Sequence, residues 1–341
     1  MNQEPSAAFL SDNAAPAHPA ALDALFEVNT GTMPSYGEDP VTARAADAIR
    51  RAFESPTADV LFALTGTAAN IIALAGAVQP WDLIICSDIA HIVVDEAGGV
   101  GRLSGATVMA LPSRDGLLDP GQLDTLMAAR GVVHQSQPRI VSITQCTEHG
   151  RVWTSQAITE FVDHAHELGL LVHVDGARIG NAVAALEVSP LAATGDADIV
   201  SVGGTKNGML FGDAILVRRP DQFRGIRFVQ KQIGHLGSKH RYVSAQFDAM
   251  FRADRWLESA THANEMAARL SSGLTELGHR LSWPTEANEV FVDLTDDDYD
   301  RLSRSYLLER PVPSAPPVRF VCSWSTTVDE VDAVLTTLAA P

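Results

Sequence analysis

The sequence predicts an α/β fold whose mostly parallel sheet is covered by helices on both faces, followed by a small α+β domain. Apolar runs of strand length alternate with segments of helical periodicity, as in repeated βαβ units. After one long amphipathic helix the order becomes strand, helix, strand, helix. The 341 residues exceed the usual size of a single core. We therefore predict a large domain over residues 1–250 and a small C-terminal domain over residues 251–341.

The individual elements are predicted in chain order from periodicity and turn residues. In the large domain the predicted strands cover residues 60–64, 83–86, 106–111, 139–145, 170–175, 199–202 and 211–217. The helices predicted among them cover residues 41–54, 66–78, 120–129 and 155–168, the last one ending before Gly169. The small domain is predicted to contain a helix at 255–278, strands at 290–294 and 318–323, and helices at 302–308 and 328–338.

Composition and charge disfavour several classes of function. A net charge of -17 argues against nucleic acid and anionic membranes as partners. The three cysteines, Cys86, Cys146 and Cys322, are scattered without metal-ligand spacing, which indicates free thiols and no metal site. No apolar run approaches a membrane span, and residues 1–10 lack the features of a signal peptide. A cytoplasmic location is predicted.

A lysine and an aspartate follow two neighbouring predicted strands. Lys206, one of only three lysines, lies in the sequence GGTKNG after strand 199–202, and Asp175 ends strand 170–175. Such a pair is the skeleton of a pyridoxal-phosphate site: the lysine forms a Schiff base and the aspartate keeps the pyridine nitrogen protonated. A turn-capping aspartate and an exposed loop lysine are the alternatives. The scarcity of lysine and the pairing of the two residues favour the cofactor.

Further positions fit the same site. Gly66 and Thr67 lie where a predicted strand turns into a helix, and such a helix N-terminus suits a phosphate group. His91 follows strand 83–86 and could lie over a cofactor ring, although a polar loop histidine is an equal alternative. Arg178 and Arg319 are candidate carboxylate anchors because a guanidinium group binds carboxylates through two hydrogen bonds.

These stretches together resemble the low-specificity L-threonine aldolases and the phenylserine aldolases, which are β-eliminating lyase relatives with the aspartate-aminotransferase fold (fold type I). The likeness covers nearly the whole chain. Its matching sequences are SDN at 11–13, SYGED at 35–39, TGTAAN at 65–70, AH at 90–91, DE at 95–96, TQCTEHG at 144–150, HVDGAR at 173–178, GGTKNG at 203–208, GHLGSKHRYVS at 234–244 and VRFVCSWST at 318–326.

The resemblance implies a seven-stranded, mostly parallel sheet and specific cofactor contacts. Lys206 is implied as the Schiff-base lysine, and Asp175 as the partner of the ring nitrogen. His91 is implied to stack on the ring, and Gly66 and Thr67 to bind the phosphate. Each of these roles is also the one predicted above from the position of the residue in the sequence.

The resemblance also implies substrate contacts and a shared site. Ser11, Arg178 and Arg319 are implied to bind the substrate carboxylate, and His134 to lie near the substrate hydroxyl. Tyr36 and the Lys239/Arg241 region are implied to come from a neighbouring subunit, with Lys239 contacting the phosphate. A homo-oligomer, dimer or tetramer, follows from such sharing.

The implied reaction is the reversible cleavage of L-threonine, L-allo-threonine or related L-β-hydroxy-α-amino acids, phenylserine included, to glycine and an aldehyde. The base that takes the hydroxyl proton stays open among His91, His134 and a water molecule. A β-eliminating lyase or an aminotransferase on the same fold would share Lys206 and Asp175 and remains the main alternative. A non-enzymatic acidic αβ oligomer is the alternative from another class.

Overall fold

A seven-stranded sheet forms the centre of the protein, whose computed structural model describes residues 4–309 and 317–339. The strands are β1 (Asp59–Ala63), β2 (Asp82–Ser87), β3 (Thr107–Leu111), β4 (Gln137–Thr144), β5 (Leu171–Gly176), β6 (Ile199–Gly203) and β7 (Asp213–Val217). Their order is β1-β7-β6-β5-β4-β2-β3. Only the pairings made by β7 are antiparallel, so the predicted mostly parallel sheet is confirmed.

Helices cover both faces of this sheet, and others pack against a smaller sheet in the C-terminal part of the chain. In the described residues they are α1 (Pro19–Glu27), α2 (Pro40–Ala52), α3 (Gly66–Ala75), α4 (His91–Val94), α5 (Gly99–Ser104), α6 (Gly121–Leu126), α7 (Ser155–Glu167), α8 (Ile179–Leu186), α9 (Pro190–Thr194), α10 (Ile226–Gln232), α11 (Arg241–Phe251), α12 (Arg255–Glu276), α13 (Asp296–Ser303) and α14 (Val328–Ala339). None of them is both long and apolar enough to cross a membrane.

Two apolar cores lie on opposite faces of the large sheet. Strand side chains alternate between the faces. On β5, for example, Val172 and Val174 enter one core, whereas Leu171 enters the core that includes the apolar residues of α3. The same alternation turns His173 and Asp175 toward the α3 side. The two faces are therefore chemically different near the carboxyl ends of the strands.

The C-terminal part forms its own antiparallel sheet of β8 (Arg280–Leu281), β9 (Glu289–Asp293) and β10 (Val318–Val321). Its apolar core includes Phe9, and Ser6 forms a β-bridge with Tyr306, so the N-terminal segment packs with this part of the chain. The division at residue 250 stays a prediction.

One predicted helix of the small domain lies elsewhere. The helix expected over residues 302–308 is wrong in its position, because α13 runs over Asp296–Ser303. Thr295 Oγ1 accepts a hydrogen bond from Asp298 N at 3.2 Å, and three aspartates occupy the first turn. A capping threonine and acidic residues both stabilise a helix N-terminus, which fixes the start of α13 earlier in the chain.

Candidate active site

A cavity of about 390 Å³ opens near the carboxyl ends of the central parallel strands. This edge of a parallel sheet is where ligands bind in open α/β folds. Of the predicted site residues, the cavity is lined by Lys206, Asp175, His91, Gly66, Thr67 and Arg178. The structure therefore brings these six predicted residues together around one cavity.

Asp175 is buried at the end of β5 and is held by two donors. Asn70 Nδ2 donates to Asp175 Oδ2 at 2.7 Å, and Ala177 N donates to Asp175 Oδ1 at 3.0 Å. Only about 5% of Asp175 is exposed. A buried carboxylate with both oxygens fixed has one orientation, which is what a partner for a protonated ring nitrogen requires.

Asn70 connects Asp175 to a row of buried polar side chains beneath α3. Asn70 Oδ1 accepts from Ser201 Oγ at 2.9 Å, and Ser201 Oγ lies 3.0 Å from His173 Nε2. His173 Nδ1 lies 2.8 Å from Ser142 Oγ. Burial lowers the pKa of His173 to about 4, so this imidazole is neutral at neutral pH. Because each member has a partner, the row holds Asn70, and through it Asp175, at low energetic cost.

The turn that carries Lys206 approaches the turn after β5 very closely. A Cβ atom at Gly203 would lie only 2.1 Å from the carbonyl oxygen of Ala177, so glycine is required there. Asp213 Oδ1 accepts hydrogen bonds from Gly204 N at 2.8 Å and from Thr205 N at 3.2 Å. These contacts fix the lysine turn beside Asp175.

The N-terminus of α3 forms another wall of the cavity. Thr65 caps the helix by accepting a hydrogen bond from Ala68 N at 3.2 Å, and Gly66 and Thr67 follow it along the cavity wall. A Cβ atom at Gly66 would lie 2.8 Å from Asp213 Oδ2, so the absence of a side chain leaves room for this carboxylate. The first turn of a helix presents free N–H groups, which suit a phosphate.

His91 is oriented by a carboxylate that also contacts Asn70. His91 Nδ1 donates to Glu96 Oε1 at 2.9 Å, and Asn70 Nδ2 donates to the same oxygen at 2.9 Å. The hydrogen bond to Glu96 raises the pKa of His91. Burial raises the pKa of Glu96 itself. The imidazole is therefore fixed in the cavity wall with its Nδ1 proton engaged.

A second carboxylate lies beside His91. Glu148 Oε1 accepts hydrogen bonds from His91 N at 2.9 Å and from Thr144 Oγ1 at 2.8 Å. Its other oxygen, Oε2, is buried and has no hydrogen-bond partner among the described residues. Burial raises the pKa of Glu148 to about 7.

The two predicted carboxylate anchors are already paired with acidic side chains. Arg178 donates to both oxygens of Asp12, at 2.7 and 3.1 Å, and its Nη1 lies 3.3 Å from Glu289 Oε2. Arg319 Nη1 lies 3.6 Å from the other oxygen of Glu289, and Arg319 also pairs with Glu309. Burial raises the pKa of Glu289, which lies between the two arginines.

Several predicted site residues lie outside the cavity lining. Ser11 caps the short helical turn Asp12–Ala14 and is adjacent to Asp12. Arg319 is connected to Arg178 only through Glu289, with which both arginines pair. Tyr36 is exposed, and its backbone N–H donates to the carbonyl oxygen of Ser238 at 3.1 Å. Lys239 directly follows Ser238 in the chain. The segments expected to serve a neighbouring subunit therefore lie together on the surface.

The structure does not bring His134 to this cavity. His134 is exposed in the turn before β4, whereas the cavity lies at the other end of that strand, next to Thr144. Eight residues of extended chain separate the two ends of β4, which corresponds to roughly 25 Å. Within one subunit, His134 cannot act on a group bound beside His91.

Sequence reasoning missed the polar residues that support the site. Asp12, Asn70, Glu148, Asp213 and Glu289 all contact predicted site residues or line the cavity. Asn70 and Glu148 lie inside sequences that matched the family, at 65–70 and 144–150. Their position in those sequences was the available signal. Asp12 lies in the matching sequence at 11–13 and carried the same signal, whereas Glu289 lies in none of these sequences.

Comparisons with known proteins agree with this geometry. The family model of the β-eliminating lyases matches residues 8–297. A low specificity L-threonine aldolase of Pseudomonas aeruginosa is 37% identical over 327 residues, covering 95% of this chain and 94% of that protein. The Saccharomyces cerevisiae protein of the same name is 28% identical and covers 80% of this chain and 70% of its own length. A solved Leishmania major threonine aldolase structure superposes with a TM-score of 0.93 at 28% identity, covering 98% of this chain and 100% of that one.

Proposed function

Because the chain belongs to the β-eliminating lyase family, we propose that it is a pyridoxal-phosphate-dependent aldolase. Its expected substrates are L-threonine, L-allo-threonine and related L-β-hydroxy-α-amino acids, phenylserine included. It would cleave them reversibly to glycine and an aldehyde. The observation that carries the proposal is the meeting of Lys206, Asp175 and the N-terminus of α3 around one cavity.

The residues present fit the cofactor. Lys206 would form the Schiff base, Asp175 would hold the ring nitrogen, and His91 would lie against the ring face. Gly66 and Thr67 would bind the phosphate. The two hydrogen bonds that fix Asp175 support this assignment, since a mobile carboxylate would be a poor partner for the ring. When bound, pyridoxal phosphate supplies an electron-accepting ring that stabilises negative charge at the substrate Cα.

The protein's own contribution is to orient the substrate. Arg178, with Arg319 and Ser11 nearby, would bind the carboxylate and so select which bond at Cα is broken. Arg178 is the one of these three residues that lines the cavity. Arg319 can therefore contribute in one of two ways. It reaches the cavity itself, or its ion pair with Glu289 holds Glu289, and thereby Arg178, in place.

We further propose that the working enzyme is a homo-oligomer with shared sites, in the cytoplasm. Tyr36 and Lys239 would face the cavity of a neighbouring subunit, with Lys239 near the cofactor phosphate. Their proximity on one surface of this chain supports the idea. Lys231 lies 4.6 Å from the ring centroid of Tyr36, so a second cation belongs to the same surface.

Two substitutions test the proposal. Lys206→Ala should abolish the Schiff-base absorbance and the cleavage of threonine, and retention of both would refute it. Arg319→Ala should raise the KM for the amino acid, whereas unchanged kcat and KM would remove Arg319 from the carboxylate site.

Product analysis separates the proposal from its alternatives. Threonine, allo-threonine and phenylserine isomers should each be incubated with the enzyme and the products identified. Glycine plus an aldehyde supports the aldolase. A keto acid plus ammonia would instead indicate a β-eliminating lyase, and amino-group transfer to an added keto acid an aminotransferase.

A further inference from the structure

Glu148 is the cavity carboxylate whose position none of the roles assigned above explains. It lines the cavity beside His91, but it contacts that residue only through the backbone N–H. Oε1 is fixed by His91 N and by Thr144 Oγ1, so the carboxyl group has one orientation. Oε2 is left without a partner among the described residues. A buried carboxyl oxygen with no partner can bind a ligand group or a water molecule, or can carry a proton.

The other titratable groups at the cavity differ from Glu148 in their contacts. His91 bonds Glu96 through Nδ1, which raises the pKa of the ring and leaves Nε2 as the competing acceptor of the hydroxyl proton. Burial raises the pKa of the Cys146 thiol to about 12, so it stays protonated. Glu96 Oε2 is likewise buried without a partner among the described residues, but Glu96 Oε1 contacts the side chains of His91 and Asn70, so Glu96 acts as the positioning residue for that imidazole.

We propose that Glu148 is the catalytic base of the cleavage reaction, and that its carboxylate takes the proton of the substrate β-hydroxyl. The inference rests on the proposed aldolase function. As the Cα–Cβ bond breaks, the hydroxyl proton passes to Glu148 and the O–H electron pair forms the aldehyde C=O. The electron pair of the Cα–Cβ bond stays with Cα, which takes a proton to give glycine, and Glu148 releases the proton that it gained, to Cα or to solvent, so that the carboxylate is regenerated. In the synthetic direction, protonated Glu148 returns its proton to the new alkoxide.

The electrostatic surroundings give Glu148 a pKa suited to this task. The titratable groups that face it are Asp175 at the end of β5, Cys86 on β2, and His91 and Glu96 after β2. Burial is the largest cause of the raised pKa, which lies at about 7, and the negative charge of Asp175 adds to it. A base works best when its pKa is near the working pH.

The decisive variant is Glu148→Gln, which keeps the shape of the side chain and removes its basicity. Loss of a general base typically lowers the rate by about 10²- to 10⁴-fold, and we expect kcat/KM for threonine cleavage to fall within this range. For the wild type, kcat/KM for cleavage should fall as the pH decreases through about 7, because the carboxylate form is required. Glu148→Gln should lack this acidic limb. The control is Glu160→Gln, an exposed carboxylate on α7, which should behave as the wild type.

A second reaction separates the hydroxyl step from the rest of the site. Glycine has no β-hydroxyl, so exchange of its α-proton in D₂O, followed by NMR, does not need the proposed base. Glu148→Gln should keep this exchange and should keep the affinity for glycine measured by cofactor absorbance. Parallel loss of exchange and cleavage would overturn the proposal, as would wild-type cleavage with the acidic limb retained. If the wild type exchanges glycine but cleaves no β-hydroxy amino acid, the aldolase function itself fails.

Two measurements remain informative even if Glu148→Gln does not fold. Thr144→Val removes a hydrogen bond that stabilises the carboxylate, so it should move the acidic limb to higher pH. An unmoved limb would contradict the assignment. Infrared titration of the cofactor-free protein should show a protonated carboxyl band that disappears as the pH rises through about 7. Absence of such a transition would also overturn the proposal.

Discussion

Asn70→Ala is the substitution that best tests how the cavity is supported. Asn70 makes three hydrogen bonds: to Asp175 at 2.7 Å, to Glu96 at 2.9 Å and from Ser201 at 2.9 Å. Two of them involve acidic groups, and hydrogen bonds to charged groups contribute about 1.5–3 kcal/mol each. Because water can replace part of these hydrogen bonds, we expect the free energy of unfolding to fall by about 3 kcal/mol. Urea unfolding followed by circular dichroism measures it.

The same substitution should weaken cofactor binding. Asp175 would keep only the donor from Ala177, so its carboxylate would no longer be held in one orientation. Loss of about 1.4 kcal/mol of binding free energy corresponds to a tenfold higher Kd for pyridoxal phosphate. The matched control is Asn264→Ala, which removes hydrogen bonds of 3.0 and 2.9 Å to Asn181, away from the cavity lining. A Kd for Asn70→Ala equal to that of the control would refute the reasoning.

Three further predictions follow from single contacts. Gly203→Ala should displace the lysine turn and abolish the Schiff-base absorbance, because its Cβ would lie 2.1 Å from the carbonyl oxygen of Ala177; Gly225→Ala, with open space around it, should be neutral in the same assay. Between pH 6.5 and about 4, His173 takes up a proton in the unfolded chain but stays neutral while it is buried in the folded protein. The free energy of unfolding should therefore fall by up to about 3 kcal/mol, and His173→Gln should flatten this pH dependence in urea titrations. Glu289→Gln should lower the Kd for glycine in the holoenzyme, because it removes the anion between the two arginines; a raised Kd would contradict this.

The central strands β5 and β6 could be predicted because they are apolar runs with nearly every residue buried, and Asp175 and Lys206 lie at or just after their ends. The helix α11 was missed, and the polar residues Ser244, Gln246 and Asp248 among its buried positions make its apolar face harder to recognise in the sequence. The helix α8 was missed for the opposite reason, since its sequence IGNAVAAL is apolar almost all around. Both failures arise because tertiary contacts, and not local pattern, determine which side chains are buried.

The site shows a similar division. Lys206, Asp175, Gly66 and Thr67 are marked by local sequence, since each follows a strand or begins a helix. The pairing of Arg178 with Asp12 is not marked by local sequence, because 166 residues separate the two positions. No rule of periodicity or spacing connects such residues. The sequence could indicate which of these residues meet at the cavity, but not which buried acids contact them.

The charge of the cavity supports the proposed contribution of a neighbouring subunit. Its acidic lining residues are Glu96, Glu148, Asp175 and Asp213. Among the described lining residues the permanent cations are Lys206 and Arg178, and Arg178 is already paired with Asp12. Lys206 would be bonded to the cofactor ring and would not be free to pair with the phosphate. A phosphate bound at α3 would then rely on the helix dipole alone, beside the carboxylate of Asp213. Lys239 or Arg241 of a second copy would supply the missing positive charge, so Lys239→Ala should weaken binding of pyridoxal phosphate more than binding of pyridoxal. Equal weakening of both would place Lys239 away from the phosphate.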